Sequence, residues 1–257
     1  MISVVELGTV DYATGLRLQE RLVALRKDNR IGDVLLLLEH TPVITLGRNA
    51  KRENVIASSE ELAGRGVGLF ECDRGGDVTF HGPGQLVGYP IFDLRAQISD
   101  LSSKKTLGAV DYVRRLEEIL IRTCADFGIP AQRIAGLTGV WTTGKEAKIA
   151  ALGVHISRAV TSHGFALNVN TALDYFDLII PCGITSKPVT SMARQLNREV
   201  PLQDVAHSLS RNFGVVFQSQ MLWLEDLDSL LKTTLGVPMK VPSELRAIHK
   251  EEDKSWA

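Results

Sequence analysis

The chain has 257 residues, of which 29 are basic and 30 acidic, and a hydrophobic content of 44%. That length suits one catalytic domain with an extension, and the balanced charge supplies no global field that would draw the protein onto nucleic acid or an anionic membrane. Met1-Ile2-Ser3-Val4-Val5-Glu6 lacks a basic stretch before an apolar run, and no segment approaches bilayer length, so the expectation is a soluble, cytoplasmic protein.

Along the chain, Leu18, Leu22 and Leu25 recur at helical spacing between Asp11 and Asn29, and Val34-Leu35-Leu36-Leu37-Leu38 has the continuous apolar run of a fully buried strand. Pro42 to Gly47 and Val67 to Cys72 follow as further strands. The second delivers a glycine-rich turn, Arg74 to Gly84, and Leu86 to Phe92 leaves it. A long helix is predicted from Val110, Val113, Leu116, Leu120, Cys124 and Phe127, which share one stripe, with Gly128 and Pro130 as stop signals. Gly139 to Thr142 is a short strand. Lys148, Ala150, Leu152, Val154 and Ile156 then share one strand face, and Gly164 to Val169 is its hairpin partner across a Ser162-His163 turn.

Pro201 to Phe213 is a closing helix, Leu222 to Leu231 a short amphipathic piece, and Lys250 to Lys254 a charged tail. There are no internal repeats. The pattern predicts an α+β fold, a single domain with a central mixed or antiparallel sheet and packed helices. Residues 1–217 would form the catalytic domain and 218–257 a C-terminal extension, partly helical or mobile.

Three cysteines, Cys72, Cys124 and Cys182, offer neither a disulfide framework nor a CxxC zinc site. Cys124 falls on the apolar stripe of the long helix and Cys72 in a strand, both settings of structural thiols. Cys182 follows a buried segment ending in Pro181 and precedes Gly183, which puts its thiol on a loop. That setting alone fits a nucleophile beside oxyanion-stabilising backbone N–H groups, or a plain buried thiol.

Lys148 is a cation on an apolar strand face. It either snorkels to water or is held against a partner, and if the partner is Cys182 it favours thiolate and can exchange a proton. Arg74, Asp77, Thr79 and His81 crowd polar function into a turn that needs only glycine, and Gly82-Pro83-Gly84 demands close backbone approach to something. The turn matches neither the G-x-G-x-x-G fingerprint nor the phosphate loop ending in GKS or GKT, so it is a binding wall without a phosphate cradle, and no cofactor is implied. His81 and His163 suit hydrogen-bonding positions in that wall and His155 a structural one, while no metal-ligand spacing accompanies them.

Arg74-Gly75-Gly76-Asp77-Val78-Thr79-Phe80-His81-Gly82-Pro83-Gly84-Gln85-Leu86-Val87-Gly88-Tyr89 closely resembles the signature of the lipoyl(octanoyl) transferases. Lys148 to Gly153, His163 to Asn168 and Pro181 to Ile184 resemble that family's other blocks in the same order. The resemblance spans roughly Val4 to Phe217. It implies a domain similar to the catalytic domain of biotin and lipoate protein ligases, acting in lipoate biosynthesis.

It further implies that Cys182 takes octanoyl from acyl carrier protein as a thioester, with Lys148 tuning it. The acyl group would pass to a lysine of lipoyl domains of 2-oxoacid dehydrogenases or of the glycine-cleavage H protein. By the same carry-over Arg74, Gly75, Gly76, Asp77, Val78, Thr79, Phe80 and His81 would line the substrate pocket, with Ala151, Leu152, Gly153, Gly164, Phe165 and Ala166. An ATP-dependent lipoate or biotin ligase of the same fold is the alternative, and a cysteine hydrolase using His163 as base is a more distant one.

Overall fold

The computed structural model describes residues 1–95 and 106–227. An eight-stranded sheet runs in the order β11-β1-β2-β6-β10-β9-β8-β7. Its strands are β1 (Ile2–Val10), β2 (Asp33–His40), β6 (Gln85–Ile91), β7 (Ala131–Ile134), β8 (Leu137–Thr142), β9 (Lys148–Ser157), β10 (Val160–Asn168) and β11 (Met221–Leu224). A second sheet of three strands has β3 (Val43–Leu46) between β4 (Gly68–Glu71) and β5 (Val78–His81). The helices are α1 (Tyr12–Lys27), α2 (Ser59–Gly64), α3 (Ala109–Asp126), α4 (Met192–Leu196) and α5 (Leu202–Val216). Strands and helices packed as mixed layers make this an α+β domain, as the sequence pattern implies.

The apolar run of β2 is continuous because both faces of the large sheet are covered. Leu35 and Leu37 enter a core built with Leu116, Leu120, Leu209 and Phe213 of α3 and α5. Val34, Leu36 and Leu38 enter another with Leu18, Leu22 and Leu25 of α1. Helix α1 begins where the Asp11 side chain accepts the N–H of Thr14 at 2.9 Å, satisfying one of the orphan donors of the first turn. A third core, with Ile44, Val78, Phe80, Phe176 and Leu178, sits under the small sheet.

Several elements differ from expectation. The first residues form β1, hydrogen-bonded to β2 on one side and β11 on the other, both parallel. Strand β11 occupies the start of the segment expected to be an amphipathic piece from Leu222, so the sheet runs past the expected boundary at residue 217; the charged tail lies outside the described residues. Val110, in the first turn of α3, is 71% exposed, and Tyr112 and Ile119 join the buried stripe instead.

The β9–β10 hairpin turns at Arg158-Ala159, both with positive φ, and Ser162 and His163 are paired inside β10. A turn of two left-handed residues is ordinarily signalled by Asn or Gly, so Arg-Ala concealed it. Among the described residues no helix is long and apolar enough to cross a membrane.

Candidate active site

The glycine-rich segment is only partly a turn, since its centre is β5. Strand alternation divides its residues. Thr79 and His81, with Asp77 ahead of them, face a narrow cavity between β5, β9 and β10. Val78 and Phe80 face the other way into the third core, where Phe80 stacks on Tyr175 at 4.7 Å between ring centroids. They do not line the cavity, and neither does Gly75. The close approach demanded by Gly82-Pro83-Gly84 is made to the chain itself: a Cβ at Gly84 would lie 2.7 Å from the backbone of Asn170, whose N–H bonds the Gly84 carbonyl at 2.8 Å.

Arg74 and Gly76 line the cavity, with Ala151, Leu152 and Gly153 of β9 opposite Gly164, Phe165 and Ala166 of β10, and Cys182. Gly153 must lack a side chain, because a Cβ there would stand 2.7 Å from the Gly75 carbonyl. Phe165 folds over Gly88 of β6, the residue it pairs with across the sheet. Arg74 spends its guanidinium internally: one amino group donates to the Thr45 carbonyl at 2.7 Å and to the Thr45 hydroxyl at 2.9 Å, and the other to the Gly75 carbonyl at 3.1 Å. It therefore ties β3 to the glycine segment.

Tyr12, Tyr89 and His163 also line the cavity. Tyr12 sits at the start of α1 without a motif to announce it, and Tyr89 sits in the strand after the glycine segment. The hydrogen bonds assign the protons of these rings. Gln85 donates its amide to the Phe80 carbonyl and to Asn168, so its oxygen must accept from His81 Nδ1 at 2.7 Å. His81 Nε2 is then the acceptor facing the Thr45 hydroxyl at 3.5 Å. His40 Nδ1 donates to the Val10 carbonyl at 2.7 Å, which leaves Nε2 to accept the Tyr89 hydroxyl at 2.6 Å.

Burial pushes His40 down to about 4 and, helped by the nearby His40 charge, His81 down to about 3. Burial also lowers His163, whose Nε2 bonds the Asp73 carboxylate at 2.7 Å. At neutral pH His81 presents the cavity with an uncharged ring whose polar atoms are already engaged, backed by the equally uncharged His40, a surface suited to an apolar chain.

Cys182 lines this cavity from a single 3₁₀ turn, Pro181–Gly183, with φ 55° and ψ 24°. A second, very small pocket is lined by both Cys182 and Lys148, with Asn168, and shares Thr79, Ala151, Ala166 and Cys182 with the first. Lys148 is buried at the start of β9, its Nζ 4.7 Å from the centroid of the Trp141 ring. Its backbone pairs with the segment after the cysteine turn, accepting Thr190 N–H at 2.9 Å and donating to Pro188 at 2.8 Å. A thiol and an amine thus line one small pocket that borders the larger, mostly apolar cavity, an arrangement that acyl transfer can use.

Of the other thiols, Cys124 is fully buried, which pushes it up to about 12, and Cys72 donates to the Leu46 carbonyl at 3.4 Å. Among the described residues no group of three or more His, Cys, Asp or Glu side chains is arranged to hold a metal ion.

A family model described as the lipoyl protein ligase A/B catalytic domain matches residues 11–214. The chain belongs to that family. It is 60% identical over 253 residues to the octanoyltransferase of Koribacter versatilis, covering 98% of each chain. It is 57% identical over 237 residues to the octanoyltransferase of Acidobacterium capsulatum, covering 90% of this chain and 96% of that one.

Among solved structures, a putative lipoate protein ligase from T. acidophilum with bound lipoic acid superposes with a TM-score of 0.67 at 14% identity, over 98% of this chain and 95% of that one. Lipoate-protein ligase A bound with ATP superposes with a TM-score of 0.66 at 16% identity, over 98% and 94%. At such identities these two likenesses speak for the fold alone.

Proposed function

We propose that this chain is an octanoyltransferase that moves an octanoyl group from acyl carrier protein to a lysine ε-amine of lipoyl domains or of the glycine-cleavage H protein, through a thioester on Cys182. The observation that carries the proposal is the small pocket lined by both Cys182 and Lys148, which shares Thr79, Ala151, Ala166 and Cys182 with the larger cavity. Relatives at 57–60% identity bear the name octanoyltransferase.

In this mechanism the Cys182 thiolate attacks the donor carbonyl and the carrier thiolate leaves, taking a proton from the Lys148 ammonium. Thioester exchange is nearly isoenergetic and needs no nucleotide. The neutral acceptor amine then attacks the Cys182 thioester, and Lys148, now neutral, accepts its proton. The amide forms, the carbon–sulfur bond breaks, and Cys182 thiolate faces Lys148 ammonium again. Burial of the chain's methylenes, each worth about 0.8 kcal/mol, favours a medium-length acyl group.

Incubation with octanoyl acyl carrier protein, followed by intact mass measurement, is expected to show a hydroxylamine-labile octanoyl adduct that Cys182→Ala lacks. Modification of a lipoyl domain from ATP and free octanoate, with Cys182→Ala fully active, would replace this proposal with a ligase.

For the donor, Arg48, Lys51 and Arg52 are assigned as the docking patch. Their loop is bound to the cavity rim through Arg48 N–H to the Arg74 carbonyl at 3.0 Å and Lys51 N–H to Asp77 at 3.0 Å. Arg52 also stands 3.9 Å from Glu71, an exposed ion pair too weak to hold it, so the three cations can steer an acidic carrier. Charge reversal of all three should slow association and flatten its salt dependence, and an unchanged association rate removes the patch.

A further inference from the structure

The Asp77 carboxylate stands where a substrate contact is expected, yet both its oxygens are engaged by the protein. Oδ1 accepts the backbone N–H of Lys51 at 3.0 Å, and Oδ2 accepts the side-chain amide of Asn54 at 2.5 Å. Asn54 is itself buried, and its backbone carbonyl accepts the N–H of Ile180 at 2.7 Å, two residues before Cys182. The seam continues in the bridge of Val55 to Ile179 and in the Ile56 N–H bonded to the Leu178 carbonyl at 2.9 Å.

On the other side of the thiol, a Cβ at Gly183 would lie 3.1 Å from Asp77 Oδ2 and 3.5 Å from Asn54 Nδ2. Asn54 therefore meets the cysteine turn before Cys182 through its backbone, and the paired Asn54 and Asp77 side chains meet it after Cys182. What they hold is a strained conformation. Cys182 has φ 55°, a left-handed backbone that persists in a non-glycine residue only when its surroundings over-determine it.

We propose that Asp77 and Asn54 are positioning residues, a clamp that holds the Pro181–Gly183 turn so that the Cys182 sulfur faces the acyl pocket. The inference rests on the thioester role of Cys182. A carboxylate beside a nucleophilic sulfur opposes thiolate formation, so Asp77 is no activator. Its two N–H donors offset that charge and fix the turn. The lysine loop, the start of β5 and the cysteine turn, distant in sequence, meet at this one carboxylate.

The test combines single-turnover acylation of Cys182 with amide hydrogen exchange across Ile180 to Ile184, for Asn54→Ala, Asp77→Ala, Asp77→Asn and the double alanine variant. Asn54→Ala and Asp77→Ala are each expected to slow acylation roughly 10- to 100-fold with donor KM within about twofold, as loss of near-attack geometry does. The double variant should be no slower than Asp77→Ala, because the two residues act as one unit. Asp77→Asn should recover most of the rate, since the Asn54 amide can turn to re-pair with it.

The Ile180 and Gly183 amides should exchange faster by about tenfold or more in each alanine variant. A raised KM at unchanged kcat for Asp77→Ala, with a silent Asn54→Ala, would make Asp77 a substrate contact and overturn the clamp, as would unchanged exchange. If Asp77→Ala does not fold, Asn54→Ala and Asp77→Asn carry the comparison. Exchange needs no acyl transfer, so a parent protein that never acylates Cys182 would sink the thioester role while the amides still decide the clamp.

Discussion

The ammonium of Lys148 stands 4.7 Å from the centroid of the Trp141 indole, and both side chains are buried. A ring face favours a cation, yet it accepts no proton. Among the described residues no carboxylate forms an ion pair with Lys148, so in the proposed mechanism its proton partners are the cysteine, the donor and the acceptor.

Lys148→Arg separates charge from proton transfer, because a guanidinium keeps its charge but does not give up a proton. Thioester formation should remain within about tenfold, since a carrier thiolate leaves readily without an acid. Aminolysis should fall by about 10²- to 10⁴-fold, the usual worth of a general base. Following the octanoyl adduct and its transfer to a lipoyl domain in one turnover reads both steps. Equal losses would end the proton-shuttle role.

Sequence periodicity found α1, β2, α3 and α5 because each has one dominant buried pattern. It missed β1, which is paired on both sides and carries Glu6 and Gly8 among its apolar residues. It also missed β5, although Val78-Thr79-Phe80-His81 alternates apolar and polar, because the flanking glycines suggested a continuous turn. That Lys148 and Cys182 line one pocket depends on the backbone bonds of Lys148 to Pro188 and Thr190, which no local pattern encodes. Tyr12 left no signal at all, while Tyr89, inside the family-like stretch, could have been found by counting alternate residues from Val87.

Gly164→Ala should destabilise the domain by about 1–3 kcal/mol or more through overpacking. The new methyl would fall 2.2 Å from the Gly88 carbonyl and 2.6 Å from the Pro90 ring, neither of which can swing aside. Gly64→Ala is the control, with nothing within 4 Å of the added carbon at an exposed position of α2, and should gain about 0.5–1 kcal/mol. Urea midpoints of both variants check the contrast, and a neutral Gly164→Ala would mean that β6 and β10 pack more loosely than described.

Stability should fall on mild acidification. His40 and His81 titrate near 4 and 3 when folded, against about 6.5 when unfolded. Above about 6.5 both states are neutral and the full stability is present; below it the unfolded chain binds protons that the folded one refuses, at up to ~1.4 kcal/mol per unit for each ring. The pair should lose about 3 kcal/mol between pH 6.5 and 5, and His163, lowered by burial, adds to the same sign. Asp73 is held below its usual value, its burial outweighed by the bond to His163, so its contribution is lost only at more acid pH. Urea unfolding at pH 7.5, 6 and 5 gives the slope, and a flat profile would mean that these rings take up protons while folded.

Cys182→Gly should abolish acylation and yet be at least as stable as Cys182→Ala. In an ordinary position glycine costs about 0.5–1 kcal/mol relative to alanine through the entropy of the unfolded chain. At φ 55° that cost is met by release of the roughly 1–2 kcal/mol that a Cβ imposes on left-handed backbone. Matched urea curves for the two inactive variants isolate the strain from the chemistry. If the glycine variant is the weaker by a full kcal/mol, the turn is relaxed and the clamp has nothing to hold.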